Sequence, residues 1–459
     1  METLQHFDVA IVGAGVAGGI MAAYLGKQGR LVAVVEKSLA EPDRIIGELL
    51  QPGGVELLQR MGLQEVLEGF DAVEIRGYGL FLQEQQIQIS YREGYTGRGF
   101  RNGKFVQRIR EILRQLPTVS LMEGQVQELL EENGRITGYR YLPTGTEVSV
   151  TINAPLTIVA DGMFSSFRAA LSENEKKVSS YFMGLILKHC ELPYANCGHV
   201  VVAEPSPVLC YPISSTETRV LIDFPQAEAP RRSPELTQHL QQVIAPQLPE
   251  AIRPSFLIAV NEGKFKVMPN HLIPARPIRR SGAVLLGDSL NMRHPLTGGG
   301  MTVALTDCLL LGEALLQEKE ITAAASDVAV EQFYAQRHES NATINILADA
   351  LYGVMSDTDL KAACFSYLNR GGVHAEQPID LLSAVSRDRG LLLRHFFAVA
   401  FYGAGNILGK RPTLQGFRRS YNMVRKAVRI VSPLLLNEQP NRLERFSIKI
   451  ASKVMGAAS

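Results

Sequence analysis

Apolar and polar positions in the first 60 residues predict a strand, a helix and a second strand. The run Val9-Ala10-Ile11-Val12 is apolar throughout, which indicates a buried strand over residues 7–12. A helix is expected between Gly19 and Gly29, and a second strand from Leu31 to Val35. This order predicts a β-α-β unit.

The pattern changes after this unit and predicts a second domain that interrupts the first. Alternation from Leu80 to Ile89 favours strands of a different sheet, and residues 180–270 are rich in short strands punctuated by prolines. Between these two stretches lie a predicted amphipathic helix, 101–116, and the apolar run Leu156–Ala160. After a strand at 283–286 the sequence predicts mostly helices. The expected fold therefore combines an α/β domain with a mostly antiparallel α+β domain.

The composition is that of a globular protein, but the charge is unevenly distributed. The chain has 459 residues, of which 46% are apolar, and a net charge of +1. Because no basic stripe with interleaved aromatic residues is present, we expect no nucleic-acid partner. Residues 387–459 contain 14 Lys and Arg against 3 Asp and Glu, a net charge of +11 that leaves −10 on the rest. A basic segment on an acidic body indicates a specific role for that segment.

The cysteines favour reduced thiols over a disulfide framework or a metal site. They are odd in number and form no Cys-x-x-Cys pair: Cys190, Cys197, Cys210, Cys308 and Cys364. Reduced cysteines indicate a cytosolic environment. The first predicted strand starts at residue 7, so we also expect no signal peptide.

The loop after the first strand contains Gly13-Ala14-Gly15-Val16-Ala17-Gly18, which matches a dinucleotide-binding turn. Gly13 permits the turn, Gly15 allows the backbone to approach a pyrophosphate, and Gly18 allows the helix to press on the sheet. Glu36 follows the second strand, where a carboxylate can bind ribose hydroxyls. Alone, the glycines also fit a simple packing turn. With the strands, the helix and Glu36 in register, they predict dinucleotide binding.

Two later segments complete the pattern of an FAD site. The first is Asp161-Gly162-Met163-Phe164-Ser165-Ser166-Phe167-Arg168, directly after an apolar strand. The second begins with Gly287-Asp288, where Asp288 can bind a ribityl or ribose hydroxyl. Gly298-Gly299-Gly300 then opens a helix whose positive end favours the charge on a reduced flavin. A glycine-rich capping turn is the alternative for this last segment alone. Together, the three segments predict an FAD-binding flavoprotein that activates oxygen.

Longer blocks of the sequence resemble the squalene monooxygenase (squalene epoxidase) family. The resemblance covers about residue 7 to beyond residue 400 and is carried by these blocks: Asp43–Gly54, Pro155–Gly162, Pro205–Leu209, Asn291–Ala304 and His395–Ala400. Eukaryotic members carry an N-terminal membrane region that this sequence does not show, which points to a bacterial-type or truncated chain.

The resemblance implies epoxidation of squalene to 2,3-oxidosqualene by a C4a-hydroperoxyflavin, with O2 as the oxygen source. It assigns FAD contacts to Val16, Ala17, Glu36, Lys37, Arg44, Leu49, Arg110, Val126, Asp288 and Met301. It also assigns substrate contacts to Leu209, Tyr211, Pro295, Leu296, Phe365 and His395. Tyr78 matches a family tyrosine near the flavin, and a hydrogen bond from Tyr78 to Gln51 would hold the wall of the active site.

The predicted domain limits follow from these assignments. The FAD-binding domain is Rossmann-like and discontinuous, comprising residues 1–75, 100–165 and 275–340. The substrate-binding domain comprises 76–99 and 166–274. Residues 341–459 are expected to form a helical, membrane-associated region.

The C-terminal sequence predicts attachment to a membrane surface. Leu391 to Gly409 is 19 residues long with the single charge Arg394, which is marginal for a spanning helix. The following segment, Tyr421 to Leu436, places basic residues beside apolar ones, which suits the surface of an anionic leaflet. We therefore expect monotopic attachment on the cytoplasmic face. A helical cap on the core is the alternative.

Two rival functions remain at this point. An aromatic or quinone-ring hydroxylase, or a geranylgeranyl-type reductase, would share the three FAD segments. A prenyl-lipid carrier that keeps the fold without flavin would be expected to lose Glu36, Asp288 or the triple glycine, all of which are present. Only one complete dinucleotide fingerprint is found, so the sequence predicts a separate NADPH-dependent reductase as electron donor.

Overall fold

The computed structural model of the protein describes residues 5–173, 176–225, 228–410 and 412–437. The strands are β1 (Gln5–His6), β2 (Val9–Val12), β3 (Val32–Glu36), β4 (Leu49–Leu50), β5 (Val73–Ile75), β6 (Gly77–Leu82), β7 (Gln85–Ser90), β8 (Gly97–Gly99), β9 (Val119–Glu132), β10 (Arg135–Pro143), β11 (Val150–Asn153), β12 (Leu156–Val159), β13 (Lys177–Lys188), β14 (Cys197–Val201), β15 (Val208–Pro212), β16 (Glu217–Phe224), β17 (Lys266–Leu272) and β18 (Ala283–Leu285). The helices are α1 (Val16–Lys27), α2 (Pro52–Arg60), α3 (Asn102–Gln115), α4 (Arg168–Leu171), α5 (Pro234–His239), α6 (Arg253–Glu262), α7 (Gly300–Leu316), α8 (Ala323–Met355), α9 (Thr358–Leu368), α10 (Val373–Leu382), α11 (Arg389–Lys410) and α12 (Leu414–Asn437).

An eight-stranded sheet forms the first layer, in the order β1-β11-β10-β9-β3-β2-β12-β18. Its centre is parallel, with β2 between β3 and β12 and β18 at the edge. The residues of β2 and β12 are fully buried because helices cover the sheet, and α1 packs against both α3 and α7. The predicted β-α-β unit is therefore confirmed, although α1 begins at Val16, within the glycine motif, and not at Gly19.

A seven-stranded sheet forms the second layer, in the order β17-β13-β16-β15-β14-β6-β7. Its strands pair antiparallel except for β14 and β6, which run parallel. A small antiparallel sheet is formed by β4, β8 and β5, with β8 in the middle. The α/β plus antiparallel fold class is confirmed. The exact domain limits stay a prediction.

Residues 234–262 differ from the strand-rich expectation for this region. They contain α5 and α6. Ser233 caps α5 by accepting a hydrogen bond from the Leu236 backbone, and Pro234 occupies the first turn, where its missing N–H costs nothing. Gly263, with φ +63°, ends α6 in a left-handed conformation. These capping signals were available in the sequence but were outweighed by the surrounding strand pattern.

The C-terminal helices α11 and α12 form a hairpin that packs on the rest of the protein. The Ser420 hydroxyl donates to the Ala404 carbonyl at 3.0 Å and links the two helices. The segment Arg389–Gly409 is long and apolar enough to cross a membrane by length and composition. However, Leu392 and Ala400 are buried in the protein, which leaves one side of α11 to face outward. The predicted basic tail beyond residue 437 lies outside the described residues.

Candidate active site

A cavity of about 660 Å³ lies at the carboxyl ends of the parallel strands. We call it the main cavity. It is bounded by the segments that follow β2, β3, β12 and β18, including Gly13, Glu36, Asp161 and Asp288. Ligands in open α/β sheets bind at this edge because the loops there converge. The three motifs found in the sequence therefore meet at one cavity.

Two helices direct uncapped amino termini at this cavity. Gly15 is the N-cap of α1 and Gly299 that of α7, and neither helix has a side-chain cap or an acidic residue in its first turn. Val16 and Met301 from these first turns line the cavity. Free N–H groups and the positive ends of helix dipoles favour negatively charged ligand groups.

The glycines of the turn after β2 shape the wall of the main cavity in the way that the sequence predicts. A Cβ on Gly13, which has φ +99°, would lie 2.6 Å from the Ala160 carbonyl oxygen, and one on Gly18 would lie 2.0 Å from the Gly13 carbonyl oxygen. A Cβ on Gly15 would meet no atom within 4 Å. Gly13 and Gly18 therefore allow close packing, whereas Gly15 leaves open space for a ligand.

Glu36 faces the main cavity and is held by the glycine turn. Its Oε2 accepts a hydrogen bond from the Ala14 backbone at 2.8 Å and lies 3.5 Å from Arg110 Nη2. Arg110 is buried, does not line the cavity, and donates to the Ala14 and Ala40 carbonyls, both at 3.1 Å. Burial lowers the pKa of Arg110, and Glu36 counteracts that shift. Arg110 thus supports Glu36 and the turn from behind.

Arg168 ties the second motif to the third. Its guanidinium donates to the carbonyls of Gly162 and Met163 on one side, at 3.0 and 3.1 Å. On the other side it donates to Asp288 and Ser289, at 3.1 and 2.8 Å. Burial raises the pKa of Asp288, and the nearby charges of arginines, Arg293 first, lower it. Arg168 therefore fixes two loops of the cavity through backbone contacts.

A buried hydrogen-bond network lies where the wall meets the antiparallel sheet. Gln51 Nε2 donates to Tyr78 Oη and to the Thr297 carbonyl, both at 2.7 Å. Tyr91 donates to Gln51 Oε1 at 2.8 Å. The rings of Tyr78 and Tyr91 meet edge to face, 6.0 Å apart. Tyr78 and Gln51 are hydrogen-bonded, but Gln51 is the donor, whereas the sequence analysis expected a hydrogen bond from Tyr78 to Gln51. Tyr91 was not identified from the sequence.

A second, apolar cavity of about 150 Å³ adjoins this network. We call it the distal pocket. It shares Tyr78 and Leu296 with the main cavity. Its other lining residues are mostly aliphatic and come largely from the C-terminal helices: Leu80, Ile89, Val200, Leu347, Ala350, Leu351, Val354, Met355, Leu360, Cys364, Tyr367, Leu368, Pro378, Ile379, Leu381, Leu382, Leu392, His395, Phe396, Val399 and Ala427.

Two polar residues of the distal pocket, Tyr367 and His395, are hydrogen-bonded within the protein. Tyr367 Oη lies 2.9 Å from His395 Nδ1, and His395 Nε2 lies 2.8 Å from Gln377 Oε1. Because Gln377 Oε1 can only accept, His395 Nε2 carries the proton and Nδ1 accepts from Tyr367. Burial lowers the pKa of His395, and the positive charge of Arg394 adds to that effect. The imidazole is therefore neutral, and its hydrogen-bonding capacity is used within the protein.

Glu48 and Arg219 form a buried ion pair between the main-cavity loop and the antiparallel sheet. Arg219 donates from Nε at 2.6 Å and from Nη2 at 3.0 Å to the two carboxylate oxygens of Glu48. Burial raises the pKa of Glu48, and the Arg219 contacts lower it. The pair was not identified from the sequence, because Arg219 lies 171 residues after Glu48 and no local pattern relates the two.

Comparison with known proteins identifies the family. The family model described as squalene epoxidase matches residues 153–421. Squalene epoxidase 3 of Arabidopsis thaliana is 44% identical over 94% of this chain and 84% of its own length. The chain belongs to the squalene epoxidase family. Squalene monooxygenase of Mus musculus is 39% identical over 94% of this chain and 78% of its own length. Squalene epoxidase erg1 of Schizosaccharomyces pombe is 38% identical over 89% of this chain and 93% of its own length.

Solved structures share the fold of this protein at low sequence identity. The flavin-dependent brominase Bmp2 aligns with a TM-score of 0.70 and 18% identity, covering 87% of this chain and 99% of its own. The p-nitrophenol 4-monooxygenase PnpA of Pseudomonas putida DLL-E4 aligns with a TM-score of 0.69 and 20% identity, covering 85% of this chain and 99% of its own. The chain thus has the fold of flavin-dependent monooxygenases and halogenases.

Most of the predicted site residues meet at the two cavities. Those that line the main cavity are Gly13, Gly15, Val16, Ala17, Glu36, Lys37, Arg44, Leu49, Tyr78, Val126, Asp161, Leu209, Tyr211, Asp288, Pro295, Leu296, Gly300 and Met301. His395 lines the distal pocket. Gln51, Gly18, Arg110 and Gly299 lie behind the wall, and Phe365 is buried without lining either cavity. Their individual roles stay predictions. No His, Cys, Asp or Glu cluster suited to a metal ion occurs among the described residues.

Proposed function

We propose that this protein is an FAD-dependent monooxygenase that epoxidises squalene to (S)-2,3-oxidosqualene with O2, in sterol or triterpenoid biosynthesis. One observation carries the proposal. The main cavity, built from dinucleotide-type glycines and carboxylates, meets an apolar pocket at Tyr78 and Leu296. Such a junction brings a polar, phosphate-bearing cofactor next to a hydrocarbon. The family relationship supports the same reaction.

The main cavity fits FAD by its size and chemistry. Its volume lies within the usual range of ligand sites, roughly 300–1,000 Å³. The amino terminus of α1 and the open space at Gly15 suit the pyrophosphate, and Glu36 suits ribose hydroxyls. Asp288 and the amino terminus of α7 would hold the ribityl chain and the pyrimidine side of the flavin. When bound and reduced, the flavin would supply the oxygen-activating chemistry.

The distal pocket fits one end of a polyene. A dry protein cavity of about 150 Å³ lined by aliphatic residues holds a benzene-sized molecule, so this pocket would take about one isoprene unit. Tyr367 and His395 make their hydrogen bonds within the protein, so an unfunctionalised hydrocarbon leaves neither of them unpaired. Its aliphatic walls would also keep water away from the reacting alkene.

Reconstitution tests the proposed reaction directly. The purified protein would be incubated with squalene, NADPH, FAD and an NADPH-dependent flavoprotein reductase, and the products identified by mass. We expect a product one oxygen heavier than squalene. Two other outcomes would each replace the proposal: hydroxylation of an aromatic or quinone lipid in preference to squalene, or a colourless protein that binds prenyl lipid without turnover.

Removing either of the two carboxylate side chains proposed to bind FAD should weaken FAD binding. Glu36→Ala and Asp288→Ala each delete a charge-assisted hydrogen bond worth ~1.5–3 kcal/mol, so FAD dissociation constants should rise by about 10- to 150-fold. The flavin-to-protein absorbance ratio after purification and titration of the apoprotein measure this. Glu128→Ala, at an exposed surface pair, is the control. Parent-like flavin content in both variants would rule out the cofactor role of these carboxylates.

Electron delivery should require a separate reductase. The sequence has one complete dinucleotide fingerprint, and the Arg168 guanidinium is committed to backbone carbonyls, which leaves it unsuited to a nucleotide phosphate. NADPH alone should therefore bleach the bound flavin only slowly in the absence of oxygen, and a catalytic amount of reductase should make bleaching fast. Rapid bleaching without a partner protein would contradict this expectation.

The hairpin of α11 and α12 is the proposed membrane contact. It carries exposed apolar residues at its tip beside exposed basic residues, which suits the cytoplasmic surface of an anionic bilayer. Attachment there would bring the C-terminal helices that line the distal pocket close to a substrate dissolved in lipid.

A further inference from the structure

Arg293 places a buried positive charge beside the amino terminus of α7. It lines the main cavity but is only 7% exposed. Its guanidinium donates from Nη2 to the Asn291 carbonyl at 2.8 Å and to Asn291 Oδ1 at 2.9 Å. From Nη1 it donates to the Gly300 carbonyl at 3.4 Å. All three acceptors are uncharged, and no carboxylate in the described part of the chain forms an ion pair with Arg293.

A neighbouring arginine shows the contrast with a neutralised charge. Arg337 is also buried, and its Nε lies 3.0 Å from the carboxylate of Asp307. Both arginines donate to Asn291 Oδ1, so two cations lie close together and only one of them is paired. Burial lowers the pKa of Arg293, and the carboxylate that most opposes this shift is Asp288, at the cavity. A buried cation without a paired anion is costly, so this charge is suited to an anionic ligand group.

The space next to this charge belongs to the main cavity. A Cβ on Gly300 would lie 3.8 Å from Arg293 Nη1, and it would meet no other atom within 4 Å apart from its chain neighbours and the backbone of α7. Gly300 and Met301 line the same cavity. The uncapped N–H groups of α7 and the guanidinium therefore present positive charge to one part of the cavity.

We infer that Arg293 raises the reduction potential of the bound flavin, because its buried positive charge stabilises the negative charge that reduction places on the pyrimidine side. The inference rests on the proposed function, in which the amino terminus of α7 holds that side of FAD. Two electrons from the NADPH-dependent reductase and one proton from water convert the neutral flavin ring into a reduced ring with one negative charge. Protein charges near this part of a flavin tune its electronic properties.

Substitutions that keep or remove the charge test the inference. Arg293→Lys keeps the positive charge, Arg293→Gln keeps hydrogen-bond donors without the charge, and Arg293→Met removes both. The midpoint potential of the bound flavin would be measured by anaerobic reduction beside a reference dye, with FAD added to saturation. This readout does not depend on turnover. It compares the affinities for reduced and oxidised FAD, so a loss of packing that weakens both equally leaves it unchanged.

We expect the two neutral variants to lose affinity for reduced FAD about tenfold more than for oxidised FAD. This preference corresponds to a two-electron potential lower by ~30 mV. A unit charge acting over several ångströms at an effective dielectric constant of about 20 is sufficient for a change of this size. Arg293→Lys should retain most of the parent's potential. Lys264→Gln is the matched control, because it removes an exposed positive charge outside the cavity and should leave the potential unchanged.

The outcomes separate the inference from the proposed function. If the parent protein binds no FAD, the proposed function fails. If the parent binds FAD, and Arg293→Gln and Arg293→Met keep its potential, the inference is wrong. An equal fall in Arg293→Lys and Arg293→Gln would assign the effect to hydrogen-bond geometry and would overturn the inference as well. Thermal melting identifies a neutral variant that fails to fold, and the other neutral variant then provides the comparison with Arg293→Lys.

Discussion

Replacing Phe401, Leu414 and Phe417 with aspartate should release the protein from anionic vesicles. These side chains are 61%, 92% and 61% exposed. Burying a large apolar side chain contributes about 1.5–3 kcal/mol, so three of them supply roughly 5 kcal/mol or more, about a thousandfold or greater in partitioning. Added carboxylates near an anionic surface should weaken binding further. Co-sedimentation with vesicles over a range of lipid concentrations measures the change.

The geometry of the hairpin explains why these residues act together. Leu414, Phe417 and Tyr421 follow an i, i+3, i+7 spacing and share one face of α12. The hydrogen bond from Ser420 to the Ala404 carbonyl places this part of α12 beside the part of α11 that carries Phe401. We therefore expect the exposed apolar residues to act as one surface.

Salt separates the charge contribution from the apolar one. Basic residues near an anionic surface contribute about 1 kcal/mol each, and screening at 1 M salt should remove most of this. At 1 M salt the intact protein should dissociate only partly from the vesicles, because its apolar side chains stay buried in the bilayer surface. The matched control is the triple variant Val148→Asp, Ile258→Asp and Val328→Asp, at apolar residues exposed elsewhere. Equal pelleting of parent and hairpin variant would place the membrane contact elsewhere.

Point substitution is preferable to truncation because the hairpin also belongs to the core. Leu392, Met423, Ala427 and Val431 are buried, and Leu392 and Ala427 line the distal pocket. Removing residues 391–459 would therefore open the pocket as well as delete the surface. The sequence presented a core cap and a membrane surface as alternatives, but the helices have one buried face and one exposed face, so the two are compatible.

Local patterns in the sequence predicted those parts of the site that depend on short segments. The glycine turn, Glu36 and Asp288 were identified because each follows a buried strand at a fixed spacing. Gly13 and Gly15 of the turn, Glu36 and Asp288 all line the main cavity. Helices α5 and α6 were missed because their capping signals are short and lie within a strand-rich stretch.

Contacts between distant segments were harder to predict. Arg110 was assigned to the cofactor, and in the structure it lies behind the glycine turn and donates to the Ala14 and Ala40 carbonyls. Its contact with FAD stays a prediction. Tyr91 directly follows β7, and this position in the sequence predicts only packing. In the structure, Tyr91 donates to the Gln51 amide, 40 residues away, and the same amide donates to the Thr297 carbonyl of a third segment. No spacing rule relates the three, so only the folded structure reveals their network.

Breaking the Glu48–Arg219 pair should destabilise the protein strongly. The side chains are 1% and 3% exposed, so Arg219→Met leaves a buried carboxylate without its partner. Such a loss costs about 3–5 kcal/mol, and it should appear as a lower free energy of unfolding in urea. Arg140→Met, which removes a partner from an exposed pair with Glu128, should cost less than ~1 kcal/mol.

The double variant Glu48→Leu, Arg219→Met identifies the cause of that loss. If the uncompensated carboxylate is responsible, removing it as well should recover most of the stability, since apolar replacements of buried pairs are often nearly neutral. FAD loading should still fall in the double variant, because Glu48 lines the main cavity and joins the loop of Arg44 and Leu49 to β16. A double variant as unstable as Arg219→Met would show that the packing of Arg219, and not its charge, holds the main-cavity loop against the antiparallel sheet.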